Sequence, residues 1–194
     1  MDETAGADVE HWAGAIGGDG ESFAVLFDRH QQRVYRHACR LVDTTQDAED
    51  VTAAAFLELW RRRSAVRLVD GSVLPWLLVT TSNLARNMRR GLRRHRAFID
   101  RLPRGRKDTE AAESVQEPLD DDLAVALRQL SAADLRLVTL VILEGYPLAE
   151  AAEILGVTPA AAKSRLYRTR QRLQKALPER ADPHDSPTAA GAHG

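Results

Sequence analysis

The chain is short of cysteine, of aromatics and of long apolar runs, and each shortage removes a class of answer. Cys39 is the only cysteine among 194 residues. No internal disulfide can form, and no cysteine-rich zinc site can be built. The six histidines do not compensate, because none pairs at ligand spacing with a carboxylate cluster. No metal and no other cofactor is therefore expected. Aromatic residues make up 5% of the chain and strand-like alternation is scarce, which argues for helices. The longest apolar-rich stretch, residues 135–143, is too short to span a bilayer. The acidic start has no apolar segment that would serve as a secretory signal. A cytoplasmic protein without membrane insertion is expected. No glycine-rich phosphate loop or nucleophile elbow is present, so no enzyme activity is expected.

Net charge is also nearly absent, at -1, but the charges are sorted along the chain. Residues 86–107 are almost entirely basic, and every charged residue from 108 to 122 is acidic. From Lys163 to Lys175 every charged residue is basic again. Two cationic segments flanking an anionic one point to a polyanionic partner.

Periodicity divides the chain into two helical parts. In the first, residues 8–102, Phe23, Leu26, Phe27, Val34 and Leu41 recur at helical spacing. Thr45 is read as the N-cap of a helix with Ala48, Val51, Ala55 and Leu59 on one stripe. Asp47, Glu49 and Asp50 sit in its favoured first turn, and Arg61-Arg62-Arg63 suits its end. Asp70-Gly71-Ser72 is a turn signal, and Pro75 opens the next helix. Residues 103–121, with proline, glycine and charge but no period, read as a flexible linker.

The second part covers residues 122–177. Leu123, Leu127 and Leu130 form one stripe. Ser131 followed by Asp134 imitates a capping box and opens a helix over 132–144, closed by Gly145. A short helix follows Pro147, Gly156 makes a turn, and Thr158 with Pro159 starts the last helix. Residues 178–194 read as a disordered tail.

On a helical wheel over 159–177, Ala162, Leu166, Thr169, Leu173 and Leu177 share one sector, which must face a core. Ala160, Lys163, Ser164, Tyr167, Arg168 and Gln171 lie opposite, with Arg165, Arg170 and Arg172 on the flanks. The outward face starts with small residues and continues with donors that reach base edges, while the flanking arginines reach phosphates. A solvated cationic face on an ordinary bundle helix is the plain alternative. It leaves unexplained why no acid occurs between Glu153 and Glu179, since solvated faces usually mix signs. The short helix, glycine turn and capped helix follow the order of a helix-turn-helix.

Residues 144–157, Glu-Gly-Tyr-Pro-Leu-Ala-Glu-Ala-Ala-Glu-Ile-Leu-Gly-Val, continuing to Lys163-Ser164-Arg165-Leu166-Tyr167-Arg168, resemble region 4 of bacterial sigma factors. Asp47-Ala48-Glu49-Asp50-Val51, followed by Phe56-Leu57-Glu58-Leu59-Trp60-Arg61, is similar to their region 2 core-binding helix. Pro75-Trp76-Leu77-Leu78, Asn83 and Arg86-Asn87-Met88-Arg89-Arg90 resemble the adjoining promoter-melting helix. Two such blocks joined by a short linker resemble the extracytoplasmic-function group.

The resemblance implies an all-α chain of two small domains and assigns roles by position. Asp47, Asp50, Phe56 and Trp60 would dock on the β′ clamp helices of core RNA polymerase, with region 4 meeting the β flap. Phe56 and Trp60 also read as core aromatics at i and i+4, the favoured reading for Trp60. Trp76, Asn83, Arg86, Asn87 and Arg90 would hold the melted minus-ten strand, with residues 66–73 as the loop for a flipped base. Trp76 reads equally as a packing residue. Lys163, Ser164, Tyr167 and Arg168 would read the minus-thirty-five element, and Arg165 and Arg172 would hold phosphates. The resemblance further implies promoter DNA as ligand and an anti-sigma factor as a partner that the sequence itself does not show.

Departures from the family pattern also matter. Ala53 and Ala54 replace common Gln or Glu, which thins polar contacts to polymerase. Ser82 replaces a common arginine, which would remove a phosphate clamp. Ala151 replaces a larger apolar residue, and Ala160-Ala161-Ala162 stands where Gly-Thr-Val is common. A helix-turn-helix regulator acting on duplex DNA without polymerase is the alternative. It needs a dimerisation or sensor face, and no long heptad run supplies one.

Overall fold

The computed structural model describes residues 8–99 and 121–177. Most of the linker and the whole tail read from the sequence lie outside the described residues. Among the described residues the named elements are all helical. The first unit holds α1 (Val9–Ile16), α2 (Gly20–Cys39), α3 (Thr45–Arg62) and α4 (Leu74–Ile99). The second holds α5 (Asp121–Gln129), α6 (Ala132–Val138), a π-helical turn (Thr139–Leu143), α7 (Leu148–Ile154) and α8 (Pro159–Ala176).

Local chemistry sets the helix starts. Asp19 caps α2 by accepting from the Glu21 and Ser22 amides, each at 3.1 Å. Thr44, not Thr45, caps α3: its hydroxyl accepts from the Asp47 amide at 3.0 Å. Thr44 is extended (φ -128, ψ 154), while Thr45 is already the first helical residue. An N-cap side chain reaches the free amides two or three residues on only from an extended backbone, which Thr44 has and Thr45 lacks. The expected stripe is buried as read, with Ala48, Val51, Ala55 and Leu59 all in the core.

The helix expected over 132–144 is instead an α-helix to Val138 followed by the π turn. The Glu144 amide reaches back to the Thr139 carbonyl and the Tyr146 amide to the Leu140 carbonyl. These wide bonds absorb an extra residue before Gly145 turns the chain at φ 76. Ser131 caps α6 through the Asp134 amide at 3.2 Å. The Asp134 carboxylate turns to Arg172 of α8, 3.3 Å away, and so ties the cap of one helix to the side of another.

Two buried clusters fill the described residues. One lies within the first unit and joins Trp12, Leu26, Val34, Phe56, Leu59 and Leu77. The other crosses between the units. It unites Leu41, Val42 and Ala85 of the first unit with Leu127, Leu135 and Leu140 of the second. Ion pairs flank this joint: Arg33 with Glu144 at 2.7 Å, and Arg128 with Asp43 at 2.7 Å. Arg128 also donates to the Val42 carbonyl, and Arg89 to the Arg128 carbonyl at 3.0 Å.

The Glu144 side chain is only 4% exposed, so its loss removes a covered carboxylate from the joint. Each pair contributes roughly 1 kcal/mol after solvent screening. The double variant Glu144→Ala, Arg128→Ala is expected to loosen the joint. Small-angle scattering should then give a larger radius of gyration at unchanged helicity. Equal radii would mean that the apolar contacts, with the Arg89 bond to the backbone carbonyl of residue 128, hold the units without these ion pairs.

Candidate nucleic-acid interface

The face of α8 is as its wheel predicts. Thr158 accepts from the Ala161 amide at 3.2 Å, and Pro159 starts the helix. Ala162, Leu166 and Thr169 are buried. Ala160, Lys163, Ser164, Tyr167, Arg168 and Gln171 are all exposed, Tyr167 by 64%. Within that face, the Arg168 Nε donates to the Ser164 carbonyl at 3.3 Å, and the Gln171 amide donates to the Tyr167 hydroxyl at 2.9 Å. These i,i+4 bonds set the donors in a row along the helix. Arg165 is half-buried at the flank. Arg172 is exposed but bonded to Asp134, so a phosphate would share it with a carboxylate.

On α3, Asp50 is exposed and Asp47 half-buried, so both carboxylates are within reach of a partner. Phe56 is 3% exposed. Its ring meets Phe27 and Phe23 edge-on, at 4.7 and 6.5 Å. Its position is that of a core residue that supports α3 from beneath, because α2 covers it. Trp60 is half-buried, 5.0 Å from Phe23, with the Arg63 guanidinium 4.3 Å over its ring. It combines both readings, an inner edge in the core and an outer face that binds a cation.

On α4, Asn83 and Arg86 are half-buried and Asn87 and Arg90 exposed. Arg86, Arg89, Arg90 and Arg93 line a cleft against Arg128 and Leu135 of the second unit, about 530 Å³ in volume. Ser82 faces inward. It is 2% exposed, takes a hydrogen bond from His37 at 2.9 Å, and donates to the Leu78 carbonyl at 2.9 Å. A phosphate clamp is therefore not what this position would offer in this chain, because an arginine there would enter the core. The spacing of Leu78, Ser82 and Ala85 on one face carries that signal in the sequence.

The loop 66–73 turns at Asp70 and Gly71, with φ values of 50 and 73. The Val69 and Ser72 backbones exchange bonds at 3.0 and 2.9 Å across it. Positive φ at both central residues is the geometry of a type I′ turn. Loop residues Val66, Arg67 and Asp70 line a cleft of about 560 Å³ with Trp76 and Val79 of α4. The opposite wall is α7, with Glu150, Glu153 and Ile154. A hydrogen bond shared with Asp70 pushes the Glu150 carboxyl pKa up.

Sequence reasoning does not single out Asp8, whose side chain is fully buried. A carboxylate ahead of a helix reads as a cap, yet Asp8 makes no side-chain cap bond on α1. Its Oδ1 accepts from Arg29 at 2.6 Å, and its Oδ2 from His30 at 2.7 Å. The Ser72 hydroxyl and the Val73 amide also donate to Oδ2, each at 2.9 Å. Burial opposes the charge, but the bonds from His30, Val73 and Arg29 outweigh it and hold the carboxyl well below the usual range. Among the described residues, no cluster of His, Cys, Asp or Glu could hold a metal ion. No helix among them is long and apolar enough to cross a membrane.

Helical elements throughout the described residues, with a basic helix-turn-helix face and a second basic helix upstream, define a nucleic-acid-binding protein. Comparison with known proteins narrows the class. The family model "Sigma-70 region 2" matches residues 26–95, and "Sigma-70, region 4" matches residues 120–173. The chain is 31% identical over 160 residues to the RNA polymerase sigma factor CarQ of Myxococcus xanthus, covering 82% of this chain and 91% of that protein. It is 30% identical to the ECF RNA polymerase sigma factor SigM of Mycobacterium tuberculosis, covering 88% of this chain and 85% of that protein. Its fold is similar to the sigma factor RpoE of Bartonella quintana, solved in complex with the anti-sigma factor NepR. That match has a TM-score of 0.57 and 22% identity, and covers 80% of this chain and 96% of that one. The chain belongs to the sigma-70 family of RNA polymerase sigma factors, in the extracytoplasmic-function group.

Proposed function

We propose that the chain binds core RNA polymerase and directs promoter-specific initiation. The observation that carries this is the pairing, in order and in one chain, of a region 2 match with a region 4 match whose last helix bears donors and no acid. In this reading α3 docks on polymerase through Asp47 and Asp50, with Trp60 presenting its outer face. Phe56 shapes that surface from within. The second unit meets the β flap and reads the minus-thirty-five element through Lys163, Ser164, Tyr167 and Arg168, with Arg165 and Arg172 on phosphates. Helix α4 takes the melted minus-ten strand on Trp76, Asn83, Arg86, Asn87 and Arg90. Cations along the backbone and stacking or amide contacts to unpaired bases favour single strand over duplex.

Size supports a further step in this reading. Elements roughly 25 base pairs apart are about 85 Å apart along B-DNA at ~3.4 Å per pair. A compact chain of this length has a radius of gyration near ~16 Å and so a diameter of about 40 Å. The two units must separate before both elements are held. In the closed arrangement the loop cleft carries Asp70, Glu150 and Glu153, which repel phosphate. An anti-sigma factor is a proposed partner, supported by the relative solved with one.

The test is run-off transcription with core polymerase on a randomised promoter library. Transcripts that start from templates sharing two spaced motifs are expected. Binding to duplex DNA without association with core polymerase would favour a polymerase-independent regulator instead.

A further inference from the structure

The buried carboxylate of Asp8 has four donors, and two of them belong to the segment that enters α4. The loop 66–73 is fixed at its other end by the Ala65 and Val66 amides, which donate to the Arg62 carbonyl at 2.8 and 3.1 Å. Between these anchors it has one backbone exchange, Val69 with Ser72. Ordering each free loop residue costs conformational entropy, so the exit anchor decides whether the loop has one shape. Ser72 extends the anchor into the helix: its hydroxyl donates to Asp8 and accepts from the Leu74 amide at 3.2 Å. Trp76 stands two residues further on, in the wall of the loop cleft.

We infer that Asp8 is a positioning residue for base recognition. Through Ser72 and the Val73 amide it holds the loop 66–73 and the first turn of α4 in the register that distinguishes the flipped base of the minus-ten strand. The inference rests on the reading of that loop as a base pocket. Asp8 acts from outside the cleft. Arg29 and His30 complete its bonding from α2, so the framework helix and the loop share one acceptor. A carboxylate is required because it alone accepts at two oxygens and donates at neither. Asn of the same shape would turn an N–H toward one set of these donors.

The experiment uses holoenzyme and the non-template minus-ten strand found by library selection, compared with the same strand made abasic at each position in turn. Wild type is expected to bind the intact strand on the order of tenfold more tightly than the strand abasic at the flipped position. Ser72→Ala is expected to reduce that ratio several-fold, and Asp8→Asn to bring it close to one. Affinity for the abasic strand should stay within about twofold of wild type. A merely structural role would instead lower affinity for intact and abasic strands alike, and that result overturns the inference. Full discrimination in folded Ser72→Ala and Asp8→Asn also overturns it. If Asp8→Asn does not fold, Ser72→Ala decides, because it leaves Arg29, His30 and Val73 on the carboxylate. If wild type itself discriminates at no position, the base-pocket reading falls and takes this inference with it.

Discussion

Arg168→Ala is expected to cut initiation from a promoter with an intact minus-thirty-five element by roughly 10- to 100-fold. A bidentate arginine on guanine contributes about 1–3 kcal/mol of discrimination. Arg168 is exposed and its Nε is bonded to the Ser164 carbonyl at 3.3 Å, which orders the side chain along the reading face before DNA arrives. Thermal stability should be unchanged, because the side chain packs against no core residue. The distinguishing measurement is binding to duplexes that differ by single base pairs. Loss of preference at one position identifies a base contact. An equal loss across all sequences, with a shallower salt dependence, would make Arg168 a phosphate contact. Arg172→Ala should behave differently, because its ion pair with Asp134 also joins α8 to α6.

The second large effect concerns acid. His37 is fully buried between Ser82 and Arg40, and burial, with Arg40 adding to it, pushes its pKa down to about 3 from 6.5. The Ser82 hydroxyl is committed to the Leu78 carbonyl, so the His37 Nε2 carries the proton and donates to Ser82. Its Nδ1 is buried without a partner among the described residues. Protonation would place a charge there beside Arg40. Above about pH 6.5 neither the folded nor the unfolded chain protonates this ring, and it has no effect on stability. Below that, the unfolded chain takes up a proton that the folded chain refuses. Stability is then lost at up to about 1.4 kcal/mol per pH unit, continuing toward pH 3. Between pH 6.5 and 4.5 the loss from this one group is about 2–3 kcal/mol.

His37→Gln keeps a donor for Ser82 and removes the titration. The variant should be less stable than the parent at pH 7.5, and the gap should narrow or reverse by pH 5 in urea unfolding. Parallel stability curves would show that His37 does not titrate on unfolding. Asp8 acts in the same direction but lower down, since its contribution is lost only as pH falls below its ordinary value of 3.8. It is common to both proteins and cancels in the comparison.

The sequence by itself determined the helices and the faces they show. Periodicity, caps, prolines and glycines act within four residues, so α8 with Thr158 and Pro159, the buried stripe of α3 and the exposed row from Lys163 to Arg168 were legible. The basic reading surface belongs to that class because charge sorting is itself a sequence property. The cap of α3 missed by one residue, since adjacent threonines differ only in backbone conformation. The π turn before Gly145, which buries Thr139 and Leu140, has no such local signal.

What only the tertiary structure decided depends on pairs far apart in the chain. Asp8 meets Ser72 and Val73 across 64 and 65 residues, and Arg33 meets Glu144 across 111. No local rule links such residues, because a carboxylate has the same propensity whether it caps a helix or anchors a distant loop. Burial by other elements chooses between these fates. The same holds for Phe56, whose ring the sequence offered to a partner and α2 covers, and for Ser82, which His37 draws into the core.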